Sequence, residues 1–247
     1  MIKDNRQLLV MIHGWGFDTG VFKNLADRLE TDYRLQLIDL PGYAGKSDVS
    51  EYSLQNITAI VAEQIEDQVI IIGWSMAGLI GIDLACRYPE KVKKLILLTS
   101  TPCFGKKRDW SAAMDRNILK KFVMEYNKQP AETLDKFSYL AAEGTKNPRS
   151  WIRELKRLSI KKVSQQALEQ GLQILLMSDL RNNLKEVKVP ILMIFGEKDS
   201  LVPVSAEKEV KLLNEKIATR IIPGSGHTPF LTDTKMVSKF INEHVAG

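Results

Sequence analysis

The sequence predicts an α/β protein, a mostly parallel sheet flanked by helices, with a block of helices inserted after one of its strands. Three observations lead there. Apolar runs too continuous for a half-exposed sheet recur along the chain, as in V-I-I-I at 69–72 and I-L-M-I-F at 191–195. Segments with helical spacing separate them. The alternation breaks once, from about Thr101 to Asp179, where helical spacing runs on without a convincing strand.

Taken in order, Leu8–His13 reads as a strand and Thr19–Glu30 as a helix capped by Asp18 or Thr19. Arg34–Leu40 is a strand, and Ser53–Glu66 a helix with a serine N-cap. Strands Val69–Trp74 and Val92–Thr99 flank a helix over Met76–Arg87. After the insert come strand Ile191–Phe195, helix Val204–Asn214, strand Thr219–Ile222 and a final helix from about Thr232. The expected organisation is a core of residues 1–100 and 180–247 and a helical cap, or lid, of residues 101–179, with turns at Gln129-Pro130 and Gly144–Pro148.

With 247 residues, 44% hydrophobic and 26% charged, the composition is that of a globular protein with room for a sizeable core. No apolar run approaches the roughly 18–20 residues of a membrane span, so no membrane association is expected. The opening M-I-K-D-N-R-Q has no export-signal pattern, and Cys86 and Cys103 are the only cysteines. Two cysteines make neither a disulfide framework nor a cysteine-rich zinc site. The expectation is a cytoplasmic protein with no metal and no cofactor. The net charge of +5 is unevenly spread. Residues 101–170 hold 15 Lys and Arg against 8 Asp and Glu, a surplus of seven, while the remainder is acidic by two. A local acidic partner fits this asymmetry better than general stickiness.

The stretch V-I-I-I-G-W-S-M-A-G at 69–78 runs a buried strand into a lone hydroxyl between small residues. Ser75 there reads as a nucleophile on a tight elbow, which requires a histidine and a carboxylate elsewhere. Of three histidines, His13 ends the first strand, His244 sits near the C-terminus as a solvated surface residue, and His227 lies in the loop P-G-S-G-H-T-P-F after the last strand. By elimination His227 is the general base. The acid should come from I-L-M-I-F-G-E-K-D-S-L-V-P. Asp199 stands farther from the strand, beside the S-L-V-P exit, and is preferred to Glu197; Asp179 is more remote. The backbone N–H of Met76, after the nucleophile, and of Trp15, in H-G-W-G, are the expected oxyanion donors. Trp15 and Trp74 are expected to line the substrate pocket, with Phe137. The run P-G-Y-A-G-K-S has only two residues between Gly42 and Gly45, where a phosphate loop needs four, and reads as a turn.

Together these motifs resemble the α/β-hydrolases, and more closely the carboxylesterases of biotin synthesis that demethylate pimeloyl-acyl-carrier-protein methyl ester. The resemblance spans the chain. It is carried by H-G-W-G at 13–16, D-L-P-G at 39–42, G-W-S-M-A-G at 73–78 and T-P-C-F at 101–104. G-L-Q-I-L at 171–175, D-L-R at 179–181, G-E-K-D-S-L-V-P and G-H-T-P-F complete it. It implies an α/β-hydrolase fold, a serine carboxylesterase with the triad Ser75, Asp199 and His227, oxyanion donors Trp15 and Met76, and a partner acyl-carrier protein bearing a dicarboxylate monomethyl ester. The family's basic cap pattern falls on Lys136-Phe137, Gly144-Thr145, Arg149 and Arg153, with the acidic Glu132 at its first position; Arg157 is added to the docking set. Independently, a helical wheel over 149–163 puts Arg149, Arg153, Lys156, Arg157 and Lys161 on one side and Trp151, Ile152, Leu155 and Leu158 on the other. Two departures accompany the resemblance. The superfamily's N-terminal hairpin is expected to be absent or shortened, and Ala77 replaces the second glycine of G-x-S-x-G.

A monomeric serine esterase acting through an acyl-enzyme is thus the expectation. Its alternatives are a generic short-chain carboxylesterase and a cofactor-free lyase or synthase of the menaquinone-pathway type on the same fold. A non-catalytic receptor is set against the full complement of triad and oxyanion loops. A nucleic-acid binder is set against the lack of any RNA- or DNA-binding motif.

Overall fold

The structure is a computed structural model that describes residues 4–247. Strands β1 (Leu8–Ile12), β2 (Arg34–Ile38), β3 (Val69–Trp74), β4 (Val92–Leu98), β5 (Ile191–Gly196) and β6 (Ile217–Ile222) form one sheet in the order β2-β1-β3-β4-β5-β6. Every pairing is parallel. The continuous apolar runs are the internal strands. β3 and β5 are buried at every position, whereas the edge strands β2 and β6 are mixed. An internal parallel strand is covered on both faces and an edge strand is not.

The helices are α1 (Lys23–Leu29), α2 (Leu54–Gln64), α3 (Met76–Arg87), α4 (Arg116–Lys128), α5 (Pro130–Ala142), α6 (Pro148–Leu158), α7 (Gln165–Met177), α8 (Arg181–Glu186), α9 (Ala206–Leu213), α10 (Pro229–Thr232) and α11 (Thr234–Ala246). α2, α3, α8 and α9 form one packed layer; α1, α10 and α11 form another. Helix starts follow local chemistry. The Ser53 hydroxyl accepts the Asn56 N–H (3.3 Å), Ser164 accepts Ala167 N–H (3.0 Å), and Pro130 and Pro148 open α5 and α6 where a missing N–H costs nothing.

Several element boundaries differ from the sequence reading. Thr19–Glu30 is not one helix. Asp18 caps a 3₁₀ turn over Thr19–Phe22 by accepting the Gly20 N–H (2.8 Å), and α1 begins only at Lys23. The C-terminal helix is split, because Asp233 leaves α10 and caps α11 through the Met236 N–H (3.1 Å). α6 stops at Leu158, so Lys161 is beyond it; the chain turns there to bond Ile160 N–H to the Gly16 carbonyl (3.0 Å).

The chain reverses direction in the sheet between β1 and β3, which lie side by side although β2 intervenes in sequence. The crevice beyond the carboxyl ends of such strands is where ligands bind in open α/β sheets. His13 braces this edge. Its buried Nε2 accepts the Leu40 N–H (3.0 Å), which leaves Nδ1 to donate to the Gly14 carbonyl (2.9 Å). H-G-W-G and D-L-P-G are thereby tied together through one neutral imidazole.

Burial holds the His13 imidazole below its ordinary value, and burial with Lys94 nearby brings half-buried His244 to about 4. His244 is therefore not the solvated residue its position suggests. Both rings bind a proton near 6.5 only once unfolded, so below that pH the unfolded chain holds more protons and stability falls. Urea midpoints are expected to be level above about pH 6.5 and to decline from there towards pH 4. His244→Gln should flatten part of that decline.

Candidate active site

Ser75 follows β3 at φ 54° and ψ −118°, in the left-handed half of backbone space that an L-residue enters only under strain. The surroundings hold it there. Its N–H continues the strand ladder to the Leu98 carbonyl (3.0 Å), and its own carbonyl accepts the Ser100 hydroxyl (2.7 Å) and the Gly78 N–H (2.9 Å). The small residues of the motif answer to crowding. A Cβ on Gly73 would lie 2.6 Å from the Ala77 carbonyl oxygen, whereas Ala77 itself is accommodated fully buried. The strand therefore turns into α3 sharply enough to present the Ser75 hydroxyl at the sheet's carboxyl edge.

His227 arrives from the loop after β6 and Asp199 from the loop after β5. The imidazole Nε2 lies 2.9 Å from Ser75 Oγ, and Nδ1 lies 2.8 Å from Asp199 Oδ2. Both side chains are sealed from solvent. A carboxylate only accepts hydrogen bonds, so Nδ1 carries the proton towards Asp199 and Nε2 is the acceptor facing the serine hydroxyl. Asp199 is itself anchored, because Oδ1 accepts the N–H groups of Leu201 (2.8 Å) and Val202 (3.0 Å). These two bonds come from the S-L-V-P segment. The other acids are engaged elsewhere: Glu197 accepts the Gly224 N–H (2.8 Å), and Asp179 pairs with Lys107 (2.7 Å) and Arg181 (2.8 Å).

Among the described residues, the backbone N–H groups of Trp15 and Met76 donate to no protein group. The Trp15 indole is pinned from the helical insert. Its Nε1 donates to the Leu168 carbonyl (2.8 Å), and the ring packs edge-on against Phe122, Tyr126 and Phe137. α7 approaches at Gly171, where a Cβ would lie 2.9 Å from the Trp15 ring and 3.2 Å from the Met76 sulfur. The G-L-Q-I-L segment thus bears directly on both Trp15 and Met76.

A cavity of about 220 Å³ opens over Ser75 and His227. Its wall is apolar apart from those two residues, Ser200 and Glu143, and comes largely from the insert, with Leu119 and Phe122 of α4, Phe137 and Leu140 of α5, and Leu172 and Leu175 of α7. Ile118 lines it while 62% exposed, which marks the mouth. Trp15 and Phe137 are in the wall. Trp74 is not, contrary to the sequence expectation. It lies wholly buried behind the site, with Nε1 donating to the His227 carbonyl (3.0 Å) and its ring packed on Phe17 and Phe230. The same carbonyl accepts the Thr99 hydroxyl (2.8 Å). Trp74 and Thr99 therefore hold the backbone of His227, a role no motif announces; Thr99, at φ 39°, betrays its strain only in three dimensions.

The basic side chains of the insert are not equivalent. Lys136 pairs with Glu125 (2.6 Å) and Arg157 with Glu154 (2.6 Å). Arg149 and Arg153 are exposed on α6 and pair with no acid among the described residues. Lys156 faces Asp135 and the Tyr139 ring instead. Among the described residues no cluster of three or more His, Cys, Asp or Glu is placed to hold a metal, and no helix is long and apolar enough to cross a membrane.

Residues 9–239 match the Alpha/beta hydrolase family. The pimeloyl-[acyl-carrier protein] methyl ester esterase of Wigglesworthia glossinidia brevipalpis is 38% identical over 237 residues, covering 94% of this chain and 91% of that protein. The protein of the same description from Yersinia enterocolitica is 34% identical, covering 94% and 91%. Among solved structures, an esterase from Exiguobacterium antarcticum superposes with a TM-score of 0.87 at 23% identity, covering 98% of this chain and 92% of that one, and shows the same fold.

Proposed function

The chain belongs to the alpha/beta hydrolase family and, within it, to the pimeloyl-[acyl-carrier protein] methyl ester esterases; on that premise we propose that it hydrolyses the methyl ester of a pimeloyl chain carried on acyl-carrier protein, a step of biotin synthesis. The observation that carries the reading is the unbroken relay from Asp199 through His227 to Ser75 at the floor of an apolar cavity.

The reaction follows from the geometry. As the Ser75 hydroxyl attacks the ester carbonyl, Nε2 of His227 takes its proton and Asp199 stabilises the imidazolium. The carbonyl oxygen becomes an anion facing the free N–H groups of Trp15 and Met76, with the positive end of α3 behind it. The tetrahedral species collapses, the C–O bond to the methoxy group breaks, and His227 returns the proton so that methanol leaves. Water then attacks the acyl-Ser75 ester with His227 again as base, releasing the carboxylate and restoring the hydroxyl. No electrons change hands and water is the sole co-reactant.

The apolar wall accepts a methyl ester end and disfavours the charged carboxylate that hydrolysis leaves, which favours product departure. Residues 101–179 act as the cap that builds this wall. The carrier stays outside, where Arg149 and Arg153 offer unpaired positive charge to its acidic surface, with Lys136 and Arg157 as weaker contributors because each is already paired.

The test is turnover of dicarboxylate monomethyl esters of graded length, free and carrier-bound. For the double variant Arg149→Glu/Arg153→Glu, the ratio of carrier-bound to free kcat/KM is expected to fall about tenfold at low salt, with the gap narrowing as salt is raised. A ratio indifferent to both charge reversal and salt removes the docking assignment and leaves a general short-chain esterase.

A further inference from the structure

The helical insert touches more than substrate. The turn between α5 and α6 is seated on both loops of the acid–base pair, backbone against backbone. Gly144 in that turn has φ 77°, and a Cβ on it would lie 2.4 Å from the Lys198 carbonyl oxygen. A Cβ on Gly226 would lie 2.2 Å from the Glu143 carbonyl oxygen, and one on Gly196 would lie 2.0 Å from the Gly226 carbonyl oxygen. Lys198 immediately precedes Asp199, and Gly226 immediately precedes His227. The two loops are joined to each other as well, since the Lys198 N–H donates to the Ser225 carbonyl (2.8 Å). Thr145 closes the turn: its buried hydroxyl donates to the Ala142 carbonyl (2.7 Å), and its methyl lies 3.3 Å from the Gly226 Cβ position.

Three layers are therefore in contact, largely through backbone atoms with the Thr145 methyl beside them: the turn of the insert, the Asp199 loop and the His227 loop. Neither loop belongs to a strand or helix at these positions. We infer that the Glu143–Thr145 turn is a positioning element for the triad, holding the Asp199 loop against the His227 loop so that the 2.8 Å carboxylate–imidazole contact is kept. The insert is then part of the catalytic apparatus as well as a lid. A displacement of roughly 1 Å between reacting groups is enough to lower a rate about a hundredfold.

This inference rests on the esterase reading, and its test separates the two. Gly144→Ala forces the turn away from Lys198. Gly45→Ala is the control, because Gly45 has nearly the same φ, 80°, but nothing within 4 Å of its Cβ position. It carries the backbone strain without the displacement. With a small neutral methyl ester, Gly144→Ala is expected to lower kcat about tenfold or more beyond Gly45→Ala while KM moves less than about threefold. Labelling of Ser75 by a serine-directed phosphonate should slow in parallel. Free and carrier-bound esters should suffer equally, unlike the response to charge reversal on α6. If Gly144→Ala does not fold, Thr145→Ala and Thr145→Ser decide: the alanine lowers kcat and the serine, which keeps the hydroxyl, restores most of it. A folded Gly144→Ala matching Gly45→Ala in kcat overturns the inference, as does a Thr145→Ala kcat equal to that of the parent. A parent protein that neither turns over ester nor labels removes the esterase reading, and this inference with it.

Discussion

Ser75→Ala lowers kcat for methyl ester hydrolysis by about a millionfold, with the fold intact. The magnitude follows from what the hydroxyl does. Without it there is no acyl-enzyme, and His227 has no nucleophile within reach at Nε2. Triad hydrolases stripped of their serine retain only the modest acceleration due to the oxyanion donors and substrate binding, about 10³–10⁴ over water. The side chain removed is small, and the contacts that hold the elbow, to Leu98, Ser100 and Gly78, are made to backbone atoms of residue 75. Thermal unfolding should therefore shift little. Initial rates with a carrier-bound monomethyl ester, followed by methanol release, check the prediction.

Asp199→Asn gives the second large effect, a fall in kcat of about 10⁴ with KM little changed. The amide is nearly isosteric but presents a donor as well as an acceptor. It permits the imidazole to turn its proton towards Ser75, the wrong tautomer for a base. Leu201 and Val202 still find a carbonyl oxygen at Oδ1, so the loop keeps its shape. The two rival acids supply the contrast. Glu197→Gln retains an acceptor for the Gly224 N–H, and Asp179→Asn weakens the pairs to Lys107 and Arg181 at a distance from the relay. Neither should lower kcat more than about threefold on the scale of surface ion-pair and hydrogen-bond losses. Steady-state kinetics on the three variants side by side test the choice of Asp199 over Glu197 and Asp179.

How far the sequence could be read follows from how local each feature is. The internal strands announced themselves because burial on both faces removes the need for polar alternation, as in V-I-I-I at 69–72. The meeting of Ser75, Asp199 and His227 was legible from chain order and from each lying just beyond a strand's carboxyl end, since a parallel sheet gathers those ends on one edge. What depended on distant packing was not legible. Trp74 alternates with its neighbours along β3, but only the position of the His227 loop explains why its indole turns away from the cavity. The end of α6 at Leu158 is set by a bond from Ile160 to Gly16, over 140 residues away, and helical periodicity carries no trace of it. The cavity wall drew on Leu119, Phe122, Leu172 and Leu175, whose spacing in sequence reads as ordinary amphipathic helix. The contact of Gly144 with Lys198 joins the insert to the core across more than 50 residues, and a lone glycine in a turn carries no sign of what it touches.

Adduct mapping with a serine-directed phosphonate methyl ester tests Ser75 as the nucleophile of the ester hydrolysis. One adduct per chain is expected, on the peptide that contains Ser75, with methyl ester turnover lost in proportion to labelling and no adduct on Ser75→Ala. Undiminished turnover by fully labelled protein, or stoichiometric labelling at another residue with Ser75 untouched, would show that Ser75 is not the nucleophile.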